Sequence, residues 1–358
     1  MLVKHLELFA GIGGFRRGFE LLEKDFQCIQ TECVGFSEID RWAKITYNAN
    51  YFTNSIDMGD IVEFTSNKDN ILALPDFDIL TGGFPCQSFS MMGKKHGFKD
   101  VRGNVFFQIL EILKYKKPKF ILLENVRNLK THDRGKTFEI VLESLRNLGY
   151  KNIYFDIFDT KSFGLAQTRN RVYIFASRKP LPPNFCFNSD VIHDSFISIL
   201  NNTSLLKQRT TLDVLEKKVE RKYYLSDALK ATILSDGTKK FKSKSEINLL
   251  TARPLTATMV KMHRACQDNY FSKDFVDNPD EYIKKPHTKD DILKEEIRKI
   301  TPKEALALQG FSEEFFNHAQ KAGISNHQLY KQAGNAASVN TVYAILYYLF
   351  IINKIMEL

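Results

Sequence analysis

Long apolar runs are absent from this sequence, as are low-complexity tracts and internal repeats. The longest apolar stretch, residues 342–352, is about half of the roughly 20 residues that a transmembrane helix needs, and it contains three tyrosines. We therefore expect this stretch to form a buried helix, and we expect no membrane as a partner.

Cysteine is scarce, and the five that occur are an odd number without the spacing of a metal site. The chain also lacks a secretory signal, so a disulfide framework is not expected. We predict no bound metal, and reduced thiols in a cytoplasmic compartment. The cysteines are Cys28, Cys33, Cys86, Cys186 and Cys266.

The length and charge of the chain indicate a globular protein with a polyanionic partner. Its 358 residues are enough for two or three domains with a full hydrophobic core. A net charge of +9 and an isoelectric point near 9.1 favour nucleic acid as the partner, although basicity of this size is weak evidence alone.

A glycine-rich turn follows the first predicted strand. Residues 2–9 read as a strand, residues 9–15 are Phe-Ala-Gly-Ile-Gly-Gly-Phe, and residues 15–23 read as a helix. This is the first unit of a Rossmann-like sheet, whose bare turn lets a cofactor approach, although a plain structural turn has the same pattern. Glu38 ends the next predicted strand, where such proteins bind ribose hydroxyls, and Asp60 is a candidate acceptor for an adenine amino group.

Cys86 is the candidate nucleophile. It follows the predicted strand 76–81, two glycines and Pro85, which fixes φ and so would hold the thiol in one direction. Open α/β sheets bind ligands where strands end in such loops. The alternative is an ordinary buried cysteine, the more common case.

Polar residues end the next predicted strands. Glu124 and Asn125 close the apolar strand 119–126, and a carboxylate there needs a partner or a task, so Glu124 is a candidate acid with a raised pKa. Arg169 and Arg171 flank the start of the strand 172–176, and we expect them to point in opposite directions. Surface salt bridges are the alternative for both arginines.

Two basic segments are candidate DNA-binding regions. Residues 91–102 form a glycine-bearing basic loop suited to phosphate contacts, or simply a solvated loop. Residues 207–244 contain eleven Lys or Arg and five Asp or Glu, with two tyrosines interleaved, as is typical of a module that reads nucleic acid. The candidate DNA-binding side chains are Ser88, Lys94, Lys95, Arg102, Arg253, Thr256, Thr258 and Arg264.

The ordered set of motifs resembles the DNA (cytosine-5)-methyltransferase family. The motifs are FAGIGG from Phe9, SEID from Ser37, GDI from Gly59, GGFPCQSFS from Gly82, RGNVFF from Arg102, ENV from Glu124, QTRNR from Gln167, RKITPKEALALQGF from Arg298 and QAGNA from Gln332. The resemblance spans the chain except for about 178–297, where this family carries its target recognition domain. It implies a catalytic domain over 1–177, a recognition domain over 178–297, and a segment 298–358 that returns to the catalytic domain.

The resemblance also implies a mechanism. Cys86 matches the thiolate that adds to cytosine C6, Glu124 the acid at N3, and Arg169 the arginine that holds O2. Arg171 would brace the thiol loop, and Asn125 would fix Pro85 and the cysteine. Gln87 stands at the start of the loop that would close on a cytosine flipped out of the duplex.

The cofactor that the resemblance implies is S-adenosyl-L-methionine. The matching positions are Phe9, Gly11, Gly13, Glu38, Ile39, Asp60, Ile61, Asn335 and Ala336. Four positions depart from the family pattern. Ile39 stands where many members have a tryptophan against the adenine, Val105 replaces a common leucine, and Ala333 and Ala336 replace a frequent aromatic residue and a serine. These departures bear on cofactor affinity.

The function predicted is methylation of cytosine C5 in a short specific site of double-stranded DNA, which protects prokaryotic host DNA from a restriction endonuclease. That endonuclease would be a functional partner without physical contact, and the enzyme would be a cytoplasmic, nucleoid-associated monomer. A tRNA cytosine-C5 methyltransferase and a catalytically silent DNA-binding repressor are the alternatives. A nicotinamide dehydrogenase, which the first 40 residues alone would allow, lacks a downstream hydride-transfer site.

Overall fold

The structure is a computed structural model that describes residues 1–51, 54–85, 105–237, 243–261 and 263–357. Several predicted site residues lie outside these ranges, and their placement is not described. They are Cys86, Gln87, Ser88, Lys94, Lys95 and Arg102.

The described residues form a seven-stranded sheet with the order β3-β2-β1-β4-β5-β7-β6. Neighbouring strands are parallel except that β7 runs antiparallel to both β5 and β6. Two further strands, β8 and β9, form a small antiparallel pair. The strands are β1 Leu2–Leu8, β2 Gln30–Ser37, β3 Ile56–Asp57, β4 Ile79–Gly83, β5 Phe120–Val126, β6 Asn152–Asp159, β7 Asn170–Ser177, β8 Tyr270–Ser272 and β9 Ile297–Lys299.

Helices alternate with the strands in the first half of the chain and dominate the second half. The α-helices are α1 Gly14–Asp25, α2 Arg41–Asn50, α3 Ile61–Ser66, α4 Lys68–Ala73, α5 Val105–Lys116, α6 Lys136–Asn147, α7 Ser189–Ile197, α8 Asp227–Ile233, α9 Lys273–Asp277, α10 Pro279–Ile283, α11 Lys289–Lys294, α12 Pro302–Ala307, α13 Glu313–Lys321, α14 Asn326–Asn335 and α15 Val339–Leu346. A π-helical segment, Tyr347–Ile352, continues α15. Short 3₁₀ turns include Arg127–Lys130, His132–Gly135 and Thr160–Phe163.

The chain divides into two compact units. The first contains Met1–Phe163, Asn170–Leu205 and Ala337–Leu358, and the second contains Gly164–Arg169 and Leu206–Ala336. Residues 178–205 therefore fold with the sheet, and 298–336 fold with the second unit. The functional division at 177/178 and 297/298 remains a prediction, because compactness alone does not tell which residues read DNA.

The centre of the sheet in the first unit is buried. The central strands β4 and β5 are buried on both faces, which is the pattern of a parallel sheet covered by helices. The strand order reverses between β1 and β4, so the loops after these strands border the crevice where open α/β sheets bind ligands. The predicted α/β Rossmann-like fold is confirmed.

One stretch of the described residues, Asn326–Ile352, is long and apolar enough to span a membrane. However, 78% of its apolar window is buried inside the protein, as in the core helix of a globular fold. Its C-terminal part contains the predicted buried helix 342–352, and α15 packs against α1. This burial does not suggest a membrane protein.

The second unit has its own small core. Apolar side chains around β8 and β9 form the cluster Leu225, Ile233, Leu234, Ile247, Ala265, Tyr270 and Ile297. Helix α12 begins with a capping box between Thr301 and Glu304. This unit is therefore an independently packed body rather than an extended loop.

Candidate active site and cofactor pocket

The ends of β4 and β5 meet directly before Cys86 in the chain. Gly83 is paired with Glu124 in the sheet, so the predicted strand extends through the glycine pair. The buried Asn125 donates a hydrogen bond from Nδ2 to the carbonyl of Phe84 at 2.7 Å. The amide therefore holds the backbone at the residue before Pro85, close to the contact that the sequence predicted for it.

Glu124 and Arg171 form an ion pair at this edge of the sheet. The distance from Arg171 Nε to Glu124 Oε1 is 2.9 Å, and the two side chains are 18% and 12% exposed. In the antiparallel register Glu124 lies opposite Tyr173, so Arg171, two residues away, is on the same face as the carboxylate. The carboxylate thus has a cationic partner that can hold it in a fixed orientation.

Arg169 has a different environment from the one that the sequence indicated. It precedes β7, which begins at Asn170, so the alternation of a strand does not govern it. Its buried guanidinium donates to the carbonyl oxygens of Leu255 at 2.9 Å and of Gly334 and Ala336 at 3.0 Å. The arginine beside Glu124 is Arg171, and Arg169 is committed to backbone oxygens of the second unit.

Tyr51 stabilises the glycine-rich turn through hydrogen bonds to its backbone. The tyrosine hydroxyl donates to the carbonyls of Gly13 at 2.7 Å and Ile12 at 3.3 Å. Gly13 has φ of 80°, and a Cβ there would lie 2.3 Å from the Tyr51 ring, so only glycine fits. Motif reading missed Tyr51, because it lies 38 residues from Gly13 and belongs to no motif.

Phe9 and Gly11 complete the turn. Phe9 has φ of 53°, which is unusual for a bulky residue, and its half-buried ring packs on the apolar core of the sheet. The amide of Gly11, which has φ of 57°, donates to Glu38 Oε2 at 2.7 Å. The turn backbone is therefore fixed by contacts with the core and with the end of β2.

Glu38 links the turn to the start of α2. Its Oε1 accepts from the amide of Asp40 at 2.7 Å, and burial raises the pKa of the Glu38 carboxyl above its ordinary value. Asp40 is the N-cap of α2, and its side chain accepts from the amides of Trp42 and Ala43. Both oxygens of Glu38 accept backbone amides and retain further lone pairs, so a ribose hydroxyl can still bind.

A cavity of about 320 Å³ opens beside Glu38. Ile39 lines it and is 74% exposed, although large apolar side chains are usually covered. Asp60 lines it too, and one of its oxygens accepts the amide of Val62 as the N-cap of α3. An apolar surface between two carboxylates suits an adenosine, with the base on Ile39 and its polar groups on Glu38 and Asp60.

Three further predicted cofactor residues are not among those that line this cavity. The side chain of Ile61 is buried in the hydrophobic core of the sheet, next to Asp60, which lines the cavity, and its cofactor role remains a prediction. Asn335 is exposed at the end of α14, and the buried Ala336 accepts from Arg169. Both belong to the second unit, and their cofactor role remains a prediction.

The predicted DNA-reading residues of the second unit differ in solvent exposure and in the contacts that they already make. Thr256 and Thr258 are exposed, and their hydroxyl oxygens are 3.4 Å apart. The side chain of Arg253 is 18% exposed and contacts Glu246, while Arg264 is half-buried. Several cations of the basic segment also have carboxylate partners. These are Arg221 with Glu296, Lys222 with Glu220, Lys230 with Asp227 and Lys244 with Glu246.

Comparison with known proteins decides the family. Residues 3–350 match the sequence model of the family of C-5 cytosine-specific DNA methylases. The chain belongs to this family. It is therefore an enzyme that transfers a methyl group from S-adenosyl-L-methionine to C5 of cytosine in DNA.

Similar methylases are known from several bacteria. The Type II methyltransferase M1.ScrFI of Lactococcus lactis subsp. cremoris is 37% identical over 343 residues, which cover 96% of this chain and 76% of that protein. M.NgoBI of Neisseria gonorrhoeae is 36% identical over 343 residues, with 96% and 92% covered. The Dnmt2 methyltransferase of S. pombe is 19% identical with a TM-score of 0.73, over 98% of this chain and 99% of that one, and shows the shared fold.

The exposed isoleucine of this methylase offers a test of the cofactor pocket. Replacing Ile39 with tryptophan should tighten S-adenosyl-L-methionine binding about two- to tenfold, because an aromatic face can stack on the adenine. Ile39→Ser should weaken binding. Calorimetric dissociation constants would check both, with Ile197→Ser as the matched control, because Ile197 is a 47% exposed isoleucine on α7. Equal affinities for all variants would contradict the placement of adenine on Ile39.

Proposed function

We propose that this methylase is the modification enzyme of a Type II restriction-modification system. It methylates one cytosine in a short site of double-stranded DNA and so protects host DNA from a restriction endonuclease, which is a functional rather than a physical partner. The proposal rests on how completely this chain aligns with a Type II methyltransferase. The alignment covers 96% of this chain and 92% of M.NgoBI. The enzyme acts as a cytoplasmic monomer at the nucleoid.

The strand ends of the first unit supply the groups that the reaction needs. Cytosine C5 is a weak nucleophile, so the Cys86 thiolate adds to C6 first and moves electron density onto C5. The target base is flipped out of the duplex to reach these groups. S-adenosyl-L-methionine supplies the electrophilic methyl group. The methyl donor would leave as S-adenosyl-L-homocysteine. Loss of the C5 proton to water then breaks the bond between C6 and the Cys86 sulfur, which leaves as the thiolate, and gives 5-methylcytosine.

Glu124 and Arg171 act together on the cytosine in this proposal. A proton shared between the Glu124 carboxyl and N3 withdraws charge from the ring and favours thiolate addition. The guanidinium of Arg171 orients the carboxyl through their 2.9 Å contact and reaches O2 of the base. The geometry supports this assignment to Arg171, in place of the assignment to Arg169 made from sequence.

Replacing Glu124 with glutamine should lower kcat about 10²- to 10⁴-fold, the range expected for loss of a general acid. Arg171→Lys should lower kcat as well, and the double variant should lose less than the product of the two losses, because the residues form one pair. Single-turnover methylation measures these rates. Glu139→Gln, an exposed glutamate on α6, is the control. Fully multiplicative losses would contradict coupling between the two residues.

The function itself is tested by supplying labelled S-adenosyl-L-methionine together with unmethylated genomic DNA or, separately, bulk tRNA. We expect label in DNA, and bisulfite sequencing should place the 5-methylcytosine at one short recurring motif. Label only in tRNA would overturn the proposed substrate. Label in neither would overturn the proposed enzyme activity.

A further inference from the structure

Residues 164–169, which lead into β7, are part of the second unit. Their backbone pairs with Ala252, whose amide donates to the carbonyl of Ala166 at 2.7 Å and whose carbonyl accepts from the amide of Thr168 at 2.9 Å. The QTR portion of the sequence motif therefore lies against residues 252–258, which we call the threonine segment because it carries Thr256 and Thr258.

Gln167 attaches the threonine segment to the loop after α12. It is fully buried, its Oε1 accepts from the amide of Leu255 at 2.9 Å, and its Nε2 donates to the carbonyl of Leu308 at 2.9 Å. An amide side chain that donates on one side and accepts on the other can join two backbone segments, whereas a carboxylate can only accept.

Arg169 connects the threonine segment to the end of α14. Its guanidinium binds the carbonyl of Leu255 together with those of Gly334 and Ala336, all within 3.0 Å. Hydrogen bonds from a charged donor are stronger than neutral ones, and the planar guanidinium presents donors in several fixed directions. A lysine ammonium at this position could not reach all three oxygens in the same geometry.

Gly334 brings the same two segments into direct contact. A Cβ on Gly334 would lie 2.2 Å from the carbonyl carbon of Thr256 and 2.4 Å from the amide nitrogen of Ala257. The end of α14 therefore packs directly on the backbone of the threonine segment. Any residue larger than glycine would push that segment away.

These contacts act on the part of the segment that faces solvent. Leu255 and Met259 are buried, whereas Thr256 and Thr258 between them are exposed. Hydroxyl groups can bind phosphates and base edges, and their selectivity depends on fixed positions. The backbone that carries these hydroxyls is held by Gln167, Arg169 and the contact at Gly334.

We propose that Arg169 and Gln167 are positioning residues for DNA recognition: they fix the threonine segment so that Thr256 and Thr258 meet the target site in one orientation. The inference rests on the proposed DNA methylation and extends it. It gives the first arginine of the QTRNR motif a role in site selection, while the second, Arg171, acts at the cytosine.

The test uses the full-length enzyme and a duplex that contains the site mapped on genomic DNA. Arg169→Lys should raise KM for this duplex about 10- to 100-fold, as expected for the loss of charged hydrogen bonds. Its preference for the mapped duplex over duplexes with one substituted base pair should fall. The kcat at saturating DNA and the affinity for S-adenosyl-L-methionine should change little. Arg146→Lys, an exposed arginine on α6, is the control.

Other outcomes distinguish the alternatives. A fall in kcat with unchanged KM and unchanged site preference would place Arg169 at the cytosine and overturn the inference. If Arg169→Lys does not fold, Gln167→Glu and Gly334→Ala disturb the same segment and should reduce site preference in the same way; unchanged preference in both overturns the inference. Absence of DNA methylation by the wild-type enzyme would instead overturn the proposed function and the inference with it.

Discussion

Replacing Cys86 with alanine is expected to abolish methylation while leaving DNA binding largely intact. The thiolate forms the bond to C6 that makes C5 reactive, so its loss removes the covalent step, and losses on the order of 10⁶-fold are known for other covalent nucleophiles. Affinity for DNA comes mainly from phosphate and groove contacts, which a small thiol does not supply. Transfer of labelled methyl groups to the mapped duplex, with gel-shift binding in parallel, measures both properties.

The matched control is Cys186→Ala, because Cys186 is an exposed cysteine of the first unit. It should methylate DNA at the wild-type rate. A duplex with 5-fluorocytosine at the target position gives a second readout, because the fluorine blocks loss of the C5 proton and traps the covalent adduct. The wild-type enzyme should become covalently attached to that duplex and Cys86→Ala should not. Retained turnover in Cys86→Ala would exclude thiolate addition by this residue.

The centre of the sheet could be predicted from sequence because β4 and β5 are short, mostly apolar runs with glycines or a carboxylate at their ends. The sequence predicts strands over 2–9 and 119–126, and the structure has them within one or two residues. The predicted bounds of β4, 76–81, were less accurate, because the strand is Ile79–Gly83. It runs through the two glycines because it pairs with Leu8 and Glu124, and such pairing depends on neighbouring strands rather than local sequence.

Sequence reasoning could not predict the different contacts of the two arginines. Residues two apart in a strand share a face, so strand geometry does not separate Arg169 from Arg171. Because β7 begins between them at Asn170, only Arg171 follows its alternation. Which arginine meets Glu124 is decided by the antiparallel register of β5 and β7, which no local pattern encodes. The resemblance predicts that Arg169 holds the base, and the contact of Arg171 with Glu124 is the observation behind our proposal that Arg171 takes this task.

Contacts distant in the sequence were also outside the reach of motif reading. Tyr51 supports the glycine-rich turn through two carbonyls, and nothing near residue 51 indicates that role. Similarly, a count of basic residues over 207–244 cannot tell that several of these cations pair with carboxylates. The net charge predicts a polyanionic partner, but the side chains that meet it depend on which cations the fold leaves unpaired.

The second unit contains a buried ion pair that the sequence showed only as part of a motif. Arg298 and Glu304 have side chains 1% and 0% exposed, and the guanidinium makes two parallel contacts with the carboxylate at 2.7 and 2.9 Å. Glu304 also accepts from the amides of Thr301 and Glu216, each at 2.7 Å. Four donors therefore converge on one carboxylate, which joins β9, α12 and the chain around residue 216.

Replacing Glu304 with alanine should lower the free energy of unfolding by about 3–5 kcal/mol, because it leaves the Arg298 guanidinium buried without its counter-charge. Lys303→Ala is the control, because its ion pairs with Glu216 and Glu313 are more exposed and should contribute about 1 kcal/mol or less. Denaturant unfolding measures both values. The double replacement of Arg298 with methionine and Glu304 with leucine should recover much of the loss, because the charge is removed with its partner. If the single and double variants were equally destabilised, lost hydrogen bonds to Thr301 and Glu216, and not the unpaired charge, would account for the loss.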